Sequence, residues 1–529
     1  MGRRTSSHRK ARAAATASGA SMTAYQGASH TDLALADWHP SQSSADAALL
    51  PELGTLANRS YDLARNNGLM AGGLQTKRDN IIGAVLRLAA MPDYRLLGWD
   101  ASRAREWGNN TEAHFRSWAD STECDAALTL NLMGLSLQAL TSSFLAGDAV
   151  ALPLWKPRRG LRWNTRISLI DASRLSTPPN LTGTPRLRGG IEFDLDGAPV
   201  AYHFQQAHPG DSVHLSGAEA MDLMRWERVP AFTPWGRRRV VHLHDKERTG
   251  QSRGRPIVTA VMREFHMAGK YSQNELQASL SNSLVAAFLE SDLDQESAAS
   301  LFGEDPRSEW EKSLEQARSI GKLQGAAVIP LPVGAKLSSF TPGRPNAAFE
   351  AFMLAVLRHI AAGMNMPYEL LLKDFSKTNY SSARAALLEA WRYFHGRRRW
   401  LTDYWLRPIY ELWLEEAVNS GAVQAPGFYE NRYAYTRCRF IFGGRGYVDP
   451  VKEAEASVMR MEGGISTMEA ECAEQGLDYE EVLDQRQIEQ QMLADRGLPS
   501  LDSLRRRRYG TASSEPAQHP ADNADDAEQ

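Results

Sequence analysis

Apolar residues recur along most of the chain with a helical period, and along one stretch with a strand-like alternation. Residues 56–90 open polar and helical and close on an apolar, strand-like run near Ile81–Leu88. Between 111 and 147, Phe115, Trp118, Leu135, Leu137, Leu140 and Phe144 fall at helical spacing. From 148 to 245 the period shortens. Val150–Trp155, Ile167–Ile170 and Val200–Phe204 are short apolar or alternating runs cut apart by Pro and Gly, which predicts a small β-rich unit.

After Pro256 the spacing predicts one long helix over 257–290, with Val258, Val261, Met262, Phe265, Leu276, Leu280, Leu284 and Phe288 at threes and fours. Its length would be roughly 50 Å at 1.5 Å per residue. The stripe is narrow, and Ser, Asn and Gln cover much of the rest, so this helix suits packing against copies of itself better than a closed monomeric core. Residues 291–345 are irregular and cut by Pro330, Pro332, Pro342 and Pro345. Helix returns over 346–362 with Phe349, Phe352, Val356 and Ile360 on one face, and Gly363 stands where a C-cap belongs. A loop over 363–380 follows. A second long helix then starts near Ser381, capped by Ser381 or Ser382, and runs to about Val418 with a kink at Pro408. Shorter helices rich in Glu and Met occupy 450–495.

The two ends are of another kind. Residues 1–31 hold no Asp or Glu and carry Arg3, Arg4, Arg9, Lys10 and Arg12 among small residues. They read as a solvated basic arm; contact with nucleic acid or an acidic partner is the sharper alternative. Beyond Arg505–Arg508 the chain is polar and acidic, without Lys or Arg, as in a disordered tail. Overall charge narrows the function. With 60 Lys plus Arg against 63 Asp plus Glu, the net charge of -3 is not that of a tight DNA binder, so any contact with nucleic acid is local or weak. Three dispersed cysteines (Cys124, Cys438, Cys472) form neither a disulfide framework nor a zinc site. No segment has the ~20 apolar residues that would span a bilayer, and no export signal is read at the start. Thirteen Trp suggest subunit interfaces.

Little here points to catalysis. His242 and His244 alternate on a strand and share a face, and Asp245 follows, but no third metal ligand is signalled nearby. Phosphate-loop, dinucleotide and nucleophile-elbow motifs are missing. The acid pairs Glu415–Glu416 and Glu480–Glu481 read as solvated helix faces, because adjacent helical residues do not face each other. The clusters Arg237–Arg239 and Arg397–Arg399 read as inter-subunit ion-pair patches, with phosphate contact as the alternative. Catalytic, cofactor and metal sites are therefore all expected to be none, and the residues alone point to a large oligomeric scaffold.

Several segments carry a resemblance beyond pattern. RGGIEFDLDGAPVAYHF (188–204) is followed by HPGD (208–211), RVPA (228–231) and HLHDKERTGQSRGRPIV (242–258). The most specific is LRHIAAGMNMPYELLLKDFSKTNYSSARAALLEAWR (357–392), with VDPVKEAEA (448–456) and AEQGLDYEEV (473–482) after it. In this order, over about 59 to 495, they resemble the lambda-type portal proteins of tailed bacteriophages. The resemblance implies an α+β portal fold assembled as a ring.

Its parts would be a basic disordered arm (1–54), a mixed α/β wing (55–256), a stem helix (257–290), a clip (291–345) and a second stem helix (346–362). A channel loop (363–380), a long wing helix (381–430), a helical crown (431–508) and an acidic disordered tail (509–529) would complete it. It further implies a twelve-fold channel at one capsid vertex for DNA packaging, retention and ejection. Lys373, Asp374, Ser376, Lys377 and Thr378 would face the lumen. Leu276, Leu280, Leu284, Phe288, Phe349, Phe352 and Val356 would pack the stem. Partners would be further copies, the terminase large subunit, major capsid and scaffold proteins, a head-completion protein and double-stranded DNA held without sequence preference, with no membrane. The location would be the virion, and the host cytoplasm during assembly. The alternative is a metal-dependent hydrolase acting on nucleic acid through His242 and His244; native mass and metal content separate the two.

Overall fold

The computed structural model describes residues 25–30, 32–214, 225–284, 288–289, 329–330, 348–446 and 449–500. Two helices open the body. Ser44 caps α1 (Ala45–Asn66) by accepting from the Ala47 N–H, and Asn67 caps α2 (Gly68–Ile81) by accepting from Leu69 and Met70. A single residue thus separates them. The arm expected over 1–54 is shorter than that, because α1 already begins at Ala45. Residues 1–24 of that arm and the tail 509–529 lie outside the described residues.

Strand β1 (Leu86–Ala90) follows, then α3 (Ala101–Ala119) and α4 (Leu132–Ala146). The β-rich stretch forms two antiparallel sheets. One orders β3 (Thr165–Ile170), β2 (Asp148–Trp155) and β8 (Val241–His244). The other runs β4 (Leu187–Arg188), β5 (Ile191–Phe193), β6 (Pro199–Gln205), β7 (Trp226–Pro230). Val150, Ile170, Ile191, Tyr202, Phe204 and Val229 bury a small core between them.

A turn of 3-10 helix at Thr259–Val261 leads into α5 (Met262–Leu284). This helix has 23 residues, about 35 Å, rather than the ~50 Å expected. Helix α6 (Phe349–Gly363) ends at Gly363, but the glycine is not there for a left-handed cap: a Cβ on it would lie 2.3 Å from Val261. Most of 291–345 lies outside the described residues, apart from Ile329–Pro330, which pairs in parallel with Phe288–Leu289.

The short helix α7 (Tyr368–Leu372) sits within the segment expected to be loop. Asn379, not Ser381 or Ser382, caps α8 (Tyr380–Leu401), its side chain accepting from the Ser382 N–H. A wide π turn at Thr402–Leu406 carries α8 into α9 (Arg407–Asn419), whose second residue is Pro408. Strand β9 (Cys438–Phe442) pairs with β1, so the region from 431 begins inside the body rather than as a separate unit. Helices α10 (Pro450–Glu462), α11 (Met468–Glu474) and α12 (Tyr479–Asp495) follow.

The main core is aromatic. Phe115 lies 5.0 Å from Trp413 and 5.7 Å from Tyr410, and Trp163 lies 5.1 Å from Trp413. Trp118 and Trp405 are buried with them, so these tryptophans serve this chain's interior instead of an interface. Glu415 and Glu416 are buried too, against the expectation of solvated faces. Glu416 accepts from the Asn164 and Thr165 N–H groups at 2.7 and 2.8 Å, and Glu415 pairs with Arg237. In the second arginine cluster, Arg397 pairs with Asp245 at 2.6 Å and Arg398 donates to the carbonyls of Asn80, Ile81 and Gly443, while Arg399 is exposed.

Both sheets and α1 meet at residues 252–254. Ser252 donates through N–H and hydroxyl to Asp46 of α1 at 2.8 and 3.0 Å. Arg253 donates to Asp148 Oδ2 at 2.7 Å and to the carbonyls of Ala172, Leu175 and Gly189. The Gly254 N–H donates to Asp148 Oδ1 at 2.9 Å, and a Cβ on Gly254 would stand 1.9 Å from the Gly147 carbonyl oxygen. Removing one partner of such a pair leaves the other charge buried and uncompensated. Asp148→Ala is therefore expected to cost about 3–5 kcal/mol, read as a large drop in melting temperature or loss of soluble protein. An unchanged melting temperature would show that the pair holds little together.

Candidate functional site

The loop between α6 and α8 folds back on the body by burying Met364, Met366 and Leu371. Gly73 of α2 makes room: a Cβ there would stand 2.8 Å from Leu371 Cδ1 and 3.2 Å from Met364 Cε. One helical turn below, Lys77 is fully buried with its ammonium 4.1 Å over the Tyr393 ring and no hydrogen-bond partner among the described residues. Burial pushes that ammonium down to about 7, with Arg397 adding to the shift. Nothing local in the sequence marked Lys77, since its surroundings come from α4 and α8.

The polar end of the loop points outward. Lys373 adopts φ +56° as the left-handed cap of α7, and Lys373, Asp374, Ser376 and Lys377 are exposed, while Thr378 is half-buried. The Ser376 N–H and hydroxyl hold the Asp374 carboxyl below its ordinary range. Lys377 pairs with Glu350 of α6, which raises the lysine and lowers the glutamate. That ion pair closes the rim of a cavity of about 300 Å³ lined by Phe349, Met353, Leu357 and Tyr368.

The expected stem residues fall into two sets. Near the body, Phe265 is buried, and Tyr271 stacks on Phe349 at 5.5 Å and meets Phe352 edge-on at 5.2 Å. Phe349 and Val356 are half-buried. Further out, Leu276 is 62% exposed, Leu280 55% and Phe352 53%. The side chains of Leu284 and Phe288 lie outside the described residues. Helix α5 thus carries its apolar stripe past the end of its own core.

His242 and His244 do share a face, stacked at 4.1 Å, and the third group that the sequence did not signal is Asp148 on the neighbouring strand. One ligand atom from each lies within 4.8 Å of the others. Asp148 is already engaged, however, by His242 at 2.8 Å, Gly254 and Arg253. Burial alone would raise its carboxyl; Arg253 and the His242 hydrogen bond outweigh that and leave it well below the carboxylate range. A divalent cation there would sit beside a buried guanidinium, so the group is a structural node. Both His244 ring nitrogens are buried without a hydrogen-bond partner among the described residues.

Fold and loop together give an α+β body that carries a pair of helices with exposed apolar positions and a loop docked on α2. The model of the family described as "Phage portal protein, lambda family" matches residues 31–398. Portal protein B of Escherichia phage lambda is 30% identical over 474 residues, covering 85% of this chain and 86% of its own. The portal protein of Escherichia phage N15 is 30% identical over 469 residues, covering 85% and 87%. A chain from the virion of a native gene transfer agent particle aligns over 80% of this chain and 93% of its own, at 15% identity and a TM-score of 0.39. The chain belongs to the lambda family of phage portal proteins, the structural channels of the phage head through which DNA is packaged.

Two outcomes follow. Leu276→Asp or Leu280→Asp is expected to shift sedimentation from assembled ring toward monomer; an unchanged ring would place that face of α5 in solvent. Burial pushes the His244 imidazole down to about 3 from 6.5, with His242 adding to the shift. The unfolded chain then takes up the proton first, so stability falls as pH drops through 6.5 toward 3. The loss from this one residue should be about 2 kcal/mol by pH 5. His244→Phe should flatten the fall in melting temperature between pH 6.5 and 5; an equally steep fall would show that His244 carries none of it.

Proposed function

We propose that twelve copies close into a ring at one capsid vertex, with α5 and α6 as the stem, the segment between them as the clip, and Lys373–Thr378 lining the lumen. The observation that carries this reading is the outward apolar stripe Leu276, Leu280 and Phe352 in a chain of this family: burial against a neighbour is what such a stripe demands. Residues 55–256 with α8 and α9 form the wing, and α10–α12 the crown. The protein acts as a conduit and not as an enzyme, because a channel must let DNA slide. Each phosphate neutralised adds a salt-dependent binding term, and a near-neutral chain avoids accumulating them. Packaging force comes from a partner of the terminase large-subunit kind; capsid, scaffold and head-completion proteins dock on the outer surfaces. The site of assembly is the host cytoplasm and the final place is the virion.

The hydrolase reading through His242 and His244 loses ground to the Arg253–Asp148 pair beside them. Native mass with metal analysis distinguishes the two: a ring without stoichiometric metal supports the portal, a metal-loaded monomer or dimer the hydrolase.

Lys373→Glu tests the loop most cleanly, because Lys377 is also tied to Glu350. Rings should assemble normally with Lys373→Glu alone or together with Lys377→Glu. Capsids built on them should package shortened genomes or leak DNA, since the added negative charge repels phosphate over a Debye length of about 8–10 Å. Wild-type packaging and retention across a range of salt would remove the loop from the lumen.

A further inference from the structure

Where α8, α10 and the end of β9 meet, there is a cavity of about 350 Å³ that neither the channel nor the stem uses. One wall is apolar and comes from α8: Leu387, Leu388 and Trp391. Facing it are four cations, Arg384, Arg445, Lys452 and Arg460, and one carboxylate, Glu453. The cations are not equally committed. Arg460 is held by both oxygens of Glu471 at 2.9 and 2.6 Å, and Lys452 pairs with the cap residue Asp449 at 3.0 Å. Arg445 approaches Glu453 only to 3.8 Å, beyond hydrogen-bond reach, and its Nε is buried without a hydrogen-bond partner among the described residues. Arg384 makes no ion pair among the described residues, and it lies close enough to Lys452 to oppose that charge.

The floor is rigid. Arg398 stacks over Trp391 at 5.1 Å and donates to the carbonyls of Asn80, Ile81 and Gly443, joining three segments that meet there. His395 packs on Trp391 at 5.3 Å. Like charges beside an apolar aromatic wall suit an anion with a flat apolar part. Guanidinium groups suit phosphate oxygens, which accept from their N–H fork in pairs. The volume is at the lower end of the ~300–1,000 Å³ usual for small-molecule sites, which favours a ligand of mononucleotide size.

We propose that this cavity is a phosphate-ester site, in which Arg384 and Arg445 take the anionic oxygens and the Leu387, Leu388 and Trp391 wall takes the sugar and base. The phosphate has two possible sources, a free nucleotide or the backbone of DNA. The site stands independently of the channel loop, so the fate of Lys373→Glu does not bear on it.

The test uses assembled rings of the full chain and two probes, deoxyadenosine monophosphate and a short DNA duplex. Arg384→Ala with Arg445→Ala should leave the native mass unchanged and weaken binding by about tenfold or more, one lost charge-assisted contact at least. Arg384→Lys should retain part of it. Loss confined to the mononucleotide assigns the site to free nucleotide, and loss confined to the duplex assigns it to DNA backbone; loss of both supports the shared phosphate chemistry. In the unmutated ring, the bound probe should also shield Arg384 and Arg445 from phenylglyoxal, which decides the matter even where the double variant fails to assemble. Equal binding by wild type and variant, no binding by wild type, or unshielded arginines would overturn the site.

Discussion

The body depends on one buried ion pair. Asp148 opens β2 at the point where α4 ends, and Arg253 lies in the segment leading to α5. Their contact joins the three-stranded sheet to the chain entering α5. The remaining guanidinium donors reach the carbonyls of Ala172, Leu175 and Gly189, at the edge of the second core. A buried arginine needs its donors satisfied, so these carbonyls are held in place by the charge they solvate. The close approach of Gly147 and Gly254 exists because neither carries a Cβ, and Gly147 adopts φ +89° besides. Ser252 adds α1 to the same junction through Asp46.

A body tied this firmly can carry elements that do not pack on it. The first turns of α5 are buried with Phe265 and Val261, and Tyr271 still finds Phe349 and Phe352. Leu276 and Leu280 lie past that support. The helix remains regular there because its backbone bonds are local, and Leu276 and Leu280 stay exposed on it. The loop after α6 shows the opposite balance. Met364 and Leu371 dock tightly at Gly73, while the run from Lys373 to Lys377, with Lys373 in a left-handed turn, is left outside.

Local periodicity made much of this legible. The helical spacing of Phe265, Leu276 and Leu280, the face of α6, the short β-rich runs and the loop before α8 are all properties of neighbours within a few residues, which is the range over which helical and strand periods act. Misreadings arose where the deciding partner is distant in sequence. Glu415 and Glu416 looked solvated because Arg237 and the backbone of Asn164 and Thr165 are far upstream. Arg397 and Arg398 looked like part of an interface patch because Asp245 and the carbonyls of Asn80 and Ile81 are invisible from their positions. Gly363 looked like a cap, when its role is to admit Val261.

By itself, then, the sequence determined the α+β class, the sites of the long helices, the loop before α8 and, through its ordered motifs, the portal family, since each of these is written in short segments. Only the tertiary structure decided which charges are structural and which are available. It buried Lys77 under Tyr393, turned His242 and His244 into part of the Asp148 node, and left Arg384 and Arg445 facing a cavity. The reason is physical: the state of an ionisable group is set by desolvation and by charges within a few ångströms, and those neighbours are brought together by folding from segments that lie far apart along the chain.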